Sequence, residues 1–319
     1  MSEMAGNRAA AVRRLHRRKP WNESAGWGLA LVAPTIIGLV ILNIWPFFQT
    51  LWFSLTKYTN IAGPDYIGLQ NYEKMLFPKT VVTGSVSIWQ AAGNTLMFVL
   101  LTVPVGVFLA LVLASLLNNS IRGRNVYRGI YFLPMVVAPA AVAFVWKWIL
   151  NSDYGILNQF LAIFGIKGTT WISNPDTALL SCAIINIWSA VGYDLVLILA
   201  GLQSISRTYY EAAEIDGASG VQRFFHITIP MVSPTLFFVV LMRTMTSLKQ
   251  FDTVYLLVPS RSNPAYRSAA TLMTVFYREA FEKFNRGYAS AIVVFSFVLI
   301  SIFTVIQLIA EKKLVHYDS

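Results

Sequence analysis

The chain has 319 residues, of which 56% are hydrophobic and 13% are charged. Soluble domains average about 45–50% apolar and about a quarter charged residues, so this balance excludes an ordinary soluble protein and predicts an integral membrane protein. The net charge of +10 would also be typical of a nucleic-acid-binding protein. However, much of that charge lies in an N-terminal tail and one short loop beside apolar segments. Such placement is typical of membrane orientation, and no nucleic-acid partner is expected.

Several kinds of chemistry find no support in the sequence. The lone cysteine, Cys182, excludes an intrachain disulfide and lies inside an apolar segment. The three histidines, at 16, 226 and 316, fall in tail or loop positions, so neither a metal cluster nor an intramembrane enzyme is expected. The sequence has no Gly-Lys pair and hence no phosphate-binding loop. We therefore expect this chain to bind no cofactor, and if ATP drives the protein, another subunit binds it.

Six stretches are long and apolar enough to cross a bilayer. A span needs about 20 mostly apolar residues, and a helix is expected because backbone polar groups cannot stay unpaired in lipid. Prolines inside several spans, including Pro134 and Pro139 in the third, predict kinks. The first stretch follows basic residues as a signal peptide would, but its apolar run is longer than usual. The predicted spans run approximately from 27 to 49, 93 to 117, 129 to 150, 178 to 202, 230 to 248 and 288 to 310.

The distribution of basic residues predicts the orientation of the spans. The N-terminal tail is rich in arginine, and the loop 118–128 carries Arg122, Arg124 and Arg128 with no acidic residue. Because basic loops remain on the cytoplasmic side, both termini are expected there. The expected organisation is all-α with about six transmembrane helices. A basic tail covers 1–25, the transmembrane domain covers 26–312, and a short cytoplasmic tail covers 313–319.

The cytoplasmic segment 204–230, SISRTYYEAAEIDGASGVQRFFHITIP, is unlike an ordinary connector. Ser206 or Thr208 can cap the start of a helix, and Glu211 stands three residues after Thr208 as in a capping box. Gly217 follows an aspartate and supplies a break, because glycine reaches backbone angles that other residues resist. The pattern predicts a short helix that ends in a turn.

A second short helical stretch, from about 220 to 227, leads back into the membrane. On the first helix Ile205, Tyr209, Ala212 and Ala213 share one face by helical spacing. The whole segment is therefore expected to project as helix, turn and helix. From these residues alone, it could dock another protein or lie on the lipid headgroups.

The pattern of the segment resembles a known one. Its members are Glu211, Ala212, Ala213, Asp216, Gly217, Ala218, Ile227 and Pro230. At these spacings they resemble the EAA loop of binding-protein-dependent ABC importer permeases, in particular the carbohydrate-uptake branch. One departure is Ile229, where leucine is usual. Further matches to that family are spread along the chain, at 68–72, 94–95, 132–134, 200–203 and 287–291.

The resemblance implies a type I importer fold, a location in the cytoplasmic (inner) membrane of a bacterium or archaeon, and a set of partners. These would be a second, related but different permease, a pair of ATPases that use ATP and Mg²⁺, and an extracytoplasmic solute-binding protein. The first helix of the loop would lie in a cleft on one ATPase. Glu211 would make polar contacts there, the alanines would pack, and Gly217 would hold the turn. The expected cargo is a sugar or oligosaccharide, neutral or acidic.

Polar side chains within the fourth and fifth spans are candidates for the solute pathway. A charge at mid-helix costs about 2.5–3.5 kcal/mol on insertion scales, so such residues call for an explanation. Serine and threonine at these positions could instead tie helices together. In the family, solute contacts come from these two helices. The candidates are Asn186, Ser189, Tyr193 and Asp194 in the fourth span and Arg243, Thr246, Ser247 and Gln250 in the fifth.

Arg243 allows two interpretations. It could pair with Asp194, although that residue is expected deeper on the cytoplasmic side. Alternatively, Arg243 and Lys249 could meet an acidic solute, such as a uronate sugar or a phosphorylated polyol, through charge-assisted hydrogen bonds. A permease for a phosphorylated polyol is thus the alternative function. A stand-alone secondary carrier is a third possibility, and it predicts inverted repeats or broken helices and no docking loop.

Overall fold

The structure is a computed structural model that describes residues 21–61, 63–78, 86–118, 122–258 and 263–314. The predicted basic tail up to residue 20 and the C-terminal tail from residue 315 lie outside the described residues. The chain divides into two compact units, Met1–Trp52 and Phe53–Ser319. In the first unit, α1 (Trp21–Leu39) continues through a π-helical turn (Val40–Ile44) into α2 (Trp45–Ser54). Pro46 follows the π-helical turn, which accommodates a residue that has no N–H for the helical ladder.

The second unit is also mainly helical, with one short hairpin. Its strands are β1 (Thr56–Lys57) and β2 (Asp65–Tyr66). Its helices are α3 (Gln70–Leu76), α4 (Ile88–Asn118), α5 (Arg124–Val136), α6 (Pro139–Ile149), α7 (Ile156–Ile163), α8 (Ala178–Ser204), α9 (Arg207–Ile215), α10 (Gly220–Arg223), α11 (Ile229–Leu248), α12 (Asp252–Leu257), α13 (Pro264–Ala269), α14 (Leu272–Tyr277) and α15 (Arg286–Leu314). Two further π-helical turns, Phe224–Thr228 and Arg278–Glu282, follow α10 and α14.

Among the described residues, five helices are long and apolar enough to cross a membrane, or six if one bent pair counts as a single span. This confirms the prediction of an all-α membrane protein with about six spans. The continuous spans are Gly26–Ser54, Ile88–Asn118, Ala178–Ser204, Gly220–Leu248 and Arg286–Lys312, each longer than its predicted counterpart.

The third span differs from the prediction of one helix over 129–150. It consists of α5 and α6, which meet at an angle of 99°. Val137 and Ala138 between them have extended backbone angles, and Pro139 begins α6. A proline disfavours the helical conformation of the residue before it and donates no hydrogen bond, which allows the span to break at this point. The arginines at 124 and 128, predicted in a loop, belong to the first turns of α5.

The core of the second unit forms around α8, which packs against α4, α5 and α11. Two glycines of α8 lie at these contacts. A Cβ at Gly192 would collide with the carbonyl oxygen of Tyr131 on α5, and one at Gly201 would collide with the Thr235 side chain on α11. Small residues let transmembrane helices approach closely, which is how packing holds helices together in lipid.

The short hairpin fixes the segment between the first two spans. β1 and β2 are antiparallel, with Thr56 opposite Tyr66. Asn71, on α3, donates hydrogen bonds from Nδ2 to the carbonyl oxygens of Ser54 (2.8 Å) and Thr56 (2.9 Å). A Cβ at Gly287 would collide with the Thr56 carbonyl, so α15 begins directly against β1. Two sequence matches to the importer family, at 68–72 and 287–291, thus meet at this point of the fold.

We predict that Gly192→Ala destabilises the protein by about 1–3 kcal/mol, the usual cost of overpacking, because its methyl group would displace the α5 backbone. Gly93→Ala is the matched control, since Gly93 is also inside a helix and has open space around its Cβ position. The effect is measured as the apparent melting temperature of each purified variant. Size-exclusion chromatography after heating to a series of temperatures gives this value. Equal melting temperatures for the two variants would contradict the assignment of Gly192 to a tight contact.

Candidate functional site

The first candidate region is the coupling segment, residues 204–230, which lies between α8 and α11. Its helix α9 begins after Ser206, whose hydroxyl accepts a hydrogen bond from the Thr208 backbone N–H at 3.4 Å. The capping box predicted for Thr208 and Glu211 is wrong. Ser206, two residues before Thr208, is the residue that caps α9. A capping box occurs at α10 instead, where Ser219 and Gln222 exchange hydrogen bonds.

The turn after α9 is closed by backbone hydrogen bonds. Gly217 has a φ of +75°, the left-handed conformation that favours glycine. Its N–H donates to the Glu214 carbonyl (3.1 Å), and the Ala218 N–H donates to the Ala213 carbonyl (2.9 Å). These two bonds form a Schellman motif, which satisfies the last carbonyls of α9 and sets the direction in which the chain leaves it.

Two side-chain contacts hold the two helices of the coupling segment together. The Tyr210 hydroxyl is hydrogen-bonded to Thr228 Oγ1 at 3.1 Å, and Arg223 Nη1 lies 3.4 Å from Glu214 Oε2. Tyr210 is half-buried, whereas Tyr209, predicted on the packed face together with Ala212, is 47% exposed. On α9, Tyr210 and Ala213 are therefore on the packed face, and Tyr209 and Ala212 are not.

The exposed surface of the coupling segment carries predicted and unpredicted residues. Glu211, Ala212 and Asp216 are exposed, while Ala213, Ala218, Ile227 and Pro230 are half-buried. Ile215 is 87% exposed, and Val221 on α10 and Phe225 in the π-helical turn that follows it are also exposed. Sequence reasoning missed these three apolar residues. Their signal was available, because apolar residues next to charged ones on a short exposed helix are typical of a contact surface.

The second candidate region is a cavity of about 460 Å³ between the broken third span, α8, α11 and α12. Of the eight pathway residues predicted from sequence, seven line it, and Ser247 does not. Ser247 is buried on the other side of α11, 3.0 Å from Thr102 Oγ1 on α4. Its hydroxyl thus ties two helices together. The seven lining residues are Asn186, Ser189, Tyr193, Asp194, Arg243, Thr246 and Gln250.

A charged pair lies at the wall of the cavity. Arg243 and Asp194 are both buried, and Arg243 Nε is 3.6 Å from Asp194 Oδ2, slightly beyond hydrogen-bond distance. The Arg243 Nη2 donates to the Asn186 carbonyl at 3.4 Å. A Cβ at Gly106 of α4 would lie 3.3 Å from Arg243 Nη2, so this glycine leaves room for the guanidinium. The Asp194 carboxylate is therefore within reach of the Arg243 side chain, which favours the first of the two interpretations of Arg243.

Amide and hydroxyl groups occupy the rest of the polar wall. Asn186 Nδ2 donates to Gln250 Oε1 at 2.9 Å, which joins α8 to the end of α11. Asn186 Oδ1 is buried and has no hydrogen-bond partner, so it remains able to accept one. Thr246 Oγ1 donates to the carbonyls of Met242 and Arg243 within its own helix.

Sequence reasoning missed the residues that the broken span and α12 contribute. Pro134, Val137 and Pro139 line the cavity at the break, and Asp252 and Thr253 line it from α12. The two prolines were a signal for the break. No signal placed Asp252 at the cavity, because it follows the end of a span and its position depends on how α12 folds back.

Trp188 and Lys249 lie outside this wall. Trp188 packs edge-to-face against Trp146, with ring centroids 5.5 Å apart. Lys249 is exposed and does not line the cavity. Among the described lining residues, the charged ones are Arg243, Asp194 and Asp252, so negative charges exceed positive ones by one.

Comparisons with known proteins show the family to which the chain belongs. Residues 102–316 match the family model described as "Binding-protein-dependent transport system inner membrane component". The chain is 33% identical over 318 residues to the "Probable ABC transporter permease protein YesP" of Bacillus subtilis, with 99% of each chain covered. It is 32% identical over 282 residues to the "Trehalose/maltose transport system permease protein MalF" of Thermococcus litoralis, covering 88% of this chain and 92% of that one.

A solved structure has the same fold. A chain of a bacterial ABC transporter involved in the import of the acidic polysaccharide alginate superimposes with a TM-score of 0.80. The two chains are 22% identical, and the match covers 93% of this chain and 99% of the other. The family match, which spans most of the chain, together with the near full-length relatives, shows that this protein belongs to the membrane permeases of binding-protein-dependent ABC transport systems.

Proposed function

We propose that this chain forms one half of the translocation pathway for an uncharged sugar or oligosaccharide in an ATP-driven importer. The observation that carries the proposal is the cavity, whose polar wall is built from α8 and α11 and whose charged residues include one more acidic than basic side chain. The relative MalF is named for trehalose and maltose transport, which supports a sugar as the cargo.

The wall of the cavity has the chemistry that a sugar requires. The amides of Asn186 and Gln250 and the hydroxyl of Ser189 can donate and accept hydrogen bonds, and the ring of Tyr193 offers an apolar face. The Thr246 hydroxyl already donates within its own helix and can accept a hydrogen bond from a solute. A small number of such groups on a mainly apolar wall is typical of small-molecule sites. The cavity therefore favours a ligand rich in hydroxyl groups.

The charges of the cavity disfavour an acidic sugar or a phosphorylated polyol. The nearest partner of the Arg243 guanidinium is Asp194, and Asp252 adds a further negative charge to the wall. An anion would have to compete with Asp194 for the same guanidinium, and the exposed Lys249 is not positioned to help. The acidic solute thus stays the second candidate. The structural match to the alginate importer does not favour it, because 22% identity carries the fold and not the solute.

Energy would reach this pathway through the coupling segment. The proposal places both termini and the coupling segment in the cytoplasm, where the segment would meet one of a pair of ATPases that hold ATP and Mg²⁺. Glu211 and Asp216 are available for polar contacts, and Ile215 is exposed for apolar ones. A second, related permease would complete the pathway, and an extracytoplasmic binding protein would deliver the solute at the opposite face of the inner membrane.

A stand-alone carrier is less well supported. The broken third span is a feature that such carriers also have. However, a carrier needs no projecting helix with an exposed apolar residue such as Ile215. An exposed apolar surface on a rigid turn favours a protein partner.

We predict that Gly217→Val reduces the amount of ATPase that copurifies with the tagged permease and reduces solute-stimulated ATP hydrolysis. A branched residue at φ +75° costs about 1–2 kcal/mol, so the turn would open and α9 would lose its orientation. Gly220→Val is the matched control, because Gly220 lies in the same segment with an ordinary helical backbone and open space at its Cβ position. Normal ATPase recovery with Gly217→Val would contradict the coupling role of the turn.

We predict that Arg243→Gln and Asp194→Asn each impair assembly of the complex, whereas the double variant recovers it and transports a neutral sugar. Removing one partner of a buried ion pair leaves an uncompensated charge, at a cost of about 3–5 kcal/mol, and removing both avoids that cost. Uptake of labelled solute into vesicles and recovery of assembled complex are the two measurements.

The same variants separate the two solute classes. If Arg243 binds an acidic solute, the double variant would assemble normally but lose uptake, and the proposal of a neutral sugar would fail. Lys249→Gln serves as a control for a general loss of positive charge, because Lys249 lies outside the cavity wall.

A further inference from the structure

A second cavity, of about 770 Å³, lies where the ends of two spans meet the coupling segment. We call it the arginine pocket. Its walls come from the C-terminal ends of α4 and α8, the start of α5, and the helices α9 and α10. Three arginines line it, Arg124, Arg207 and Arg223, and no acidic side chain is among its described lining residues.

The positive charge of this pocket is poorly compensated. Arg124 and Arg128 share one neutral acceptor, the amide oxygen of Gln203 in the orientation that satisfies both guanidinium groups; the Arg128 contact is 2.8 Å. The Nε atoms of both arginines are buried without a hydrogen-bond partner. In the described part of the chain, neither of them nor Arg207 makes an ion pair, and Arg223 pairs with the largely exposed Glu214. Guanidinium groups that are partly withdrawn from water and lack an acidic partner favour an anion.

The geometry suits a phosphate in particular. Arginine presents a planar array of donors that matches phosphate oxygens, and several such groups around one cavity can bind a phosphodiester from more than one side. The pocket also has an apolar wall, formed by Leu202, Ile205 and Phe224. A group that combines a phosphate with hydrocarbon chains would satisfy both parts of the wall.

The pocket lies where lipids that combine a phosphate with hydrocarbon chains are present. α4 and α8 are spans, and both end at the pocket, at Asn118 and Ser204. The ends of spans lie at the level of lipid headgroups, and basic pockets between transmembrane helices are able to bind anionic headgroups. A lipid of the adjoining leaflet therefore has direct access.

We propose that the arginine pocket binds the phosphodiester headgroup of an anionic lipid such as phosphatidylglycerol. The headgroup contacts Arg124 from the spans and Arg207 or Arg223 from the coupling segment. A single lipid thereby bridges the transmembrane core and the coupling segment and limits the movement of one against the other.

The test uses the whole complex, purified with its partner subunits and placed in nanodiscs that contain equal amounts of phosphatidylglycerol and phosphatidylcholine. Native mass spectrometry then measures which lipid stays bound. The wild type is expected to retain phosphatidylglycerol preferentially. In Arg124→Gln with Arg207→Gln, which removes two of the arginines that line the pocket, this preference falls by roughly 25-fold, about fivefold for each basic residue removed.

Arg122→Gln is the matched control, because Arg122 is exposed and does not line the pocket. An unchanged preference in this variant supports the proposal, and a loss equal to that of the double variant overturns it. If the double variant does not assemble, Arg207→Gln replaces it, with an expected loss of about fivefold for its single charge.

Other sources of an anion are separated by two further measurements. Inorganic phosphate is added to the wild type in phosphatidylcholine alone and then in the mixed nanodiscs. Binding of phosphate without any phosphatidylglycerol preference assigns the pocket to free phosphate and overturns the lipid proposal. Loss of the ATPase from the double variant in phosphatidylcholine, without bound lipid in the wild type, assigns the arginines to the ATPase and also overturns it.

Discussion

The close packing of α8 against α4, α5 and α11 is the interaction on which both functional regions depend. Lipid gives helices no hydrophobic reason to associate, so contact requires small residues and good surface fit. Gly192 brings α8 against the backbone of α5, and Gly201 brings it against α11. The cavity lies along one half of α8, and the coupling segment begins at its end. A change in the position of this one helix would therefore alter both.

The buried charges impose a second constraint on the same helices. Asp194 on α8 and Arg243 on α11 would each be costly alone, and together they also fix the register of the two helices at the cavity. From Asn186 at the cavity to Ser204 at the coupling segment, α8 spans about 27 Å at 1.5 Å per residue. α11 returns from the coupling segment to Arg243 over about 20 Å. Two continuous helices held in register can transmit a movement of the coupling segment to the cavity wall, as a rigid-body change.

Much of the fold and part of the candidate site could be predicted from the sequence, since they depend on local properties. The apolar stretches are set by composition, and four of the six predicted spans appear in the second unit as continuous helices or extensions of them. The turn of the coupling segment follows from Gly217, because the turn requires a left-handed backbone and glycine adopts it readily. The stripe of Asn186, Ser189 and Tyr193 follows from helical spacing, and the three side chains do line one cavity.

The sequence by itself therefore determined the membrane class, the spans and the helix–turn–helix of the coupling segment, because composition, periodicity and turn chemistry act over a few residues. Only the tertiary structure decided how these parts face one another. A proline in a span permits either a kink or the 99° break, and neighbouring helices select between them. Ser247 and Thr246 are adjacent in sequence, yet Ser247 is hydrogen-bonded to Thr102 on α4 and Thr246 lines the cavity. Such outcomes depend on contacts between residues far apart in the chain, which local patterns do not encode.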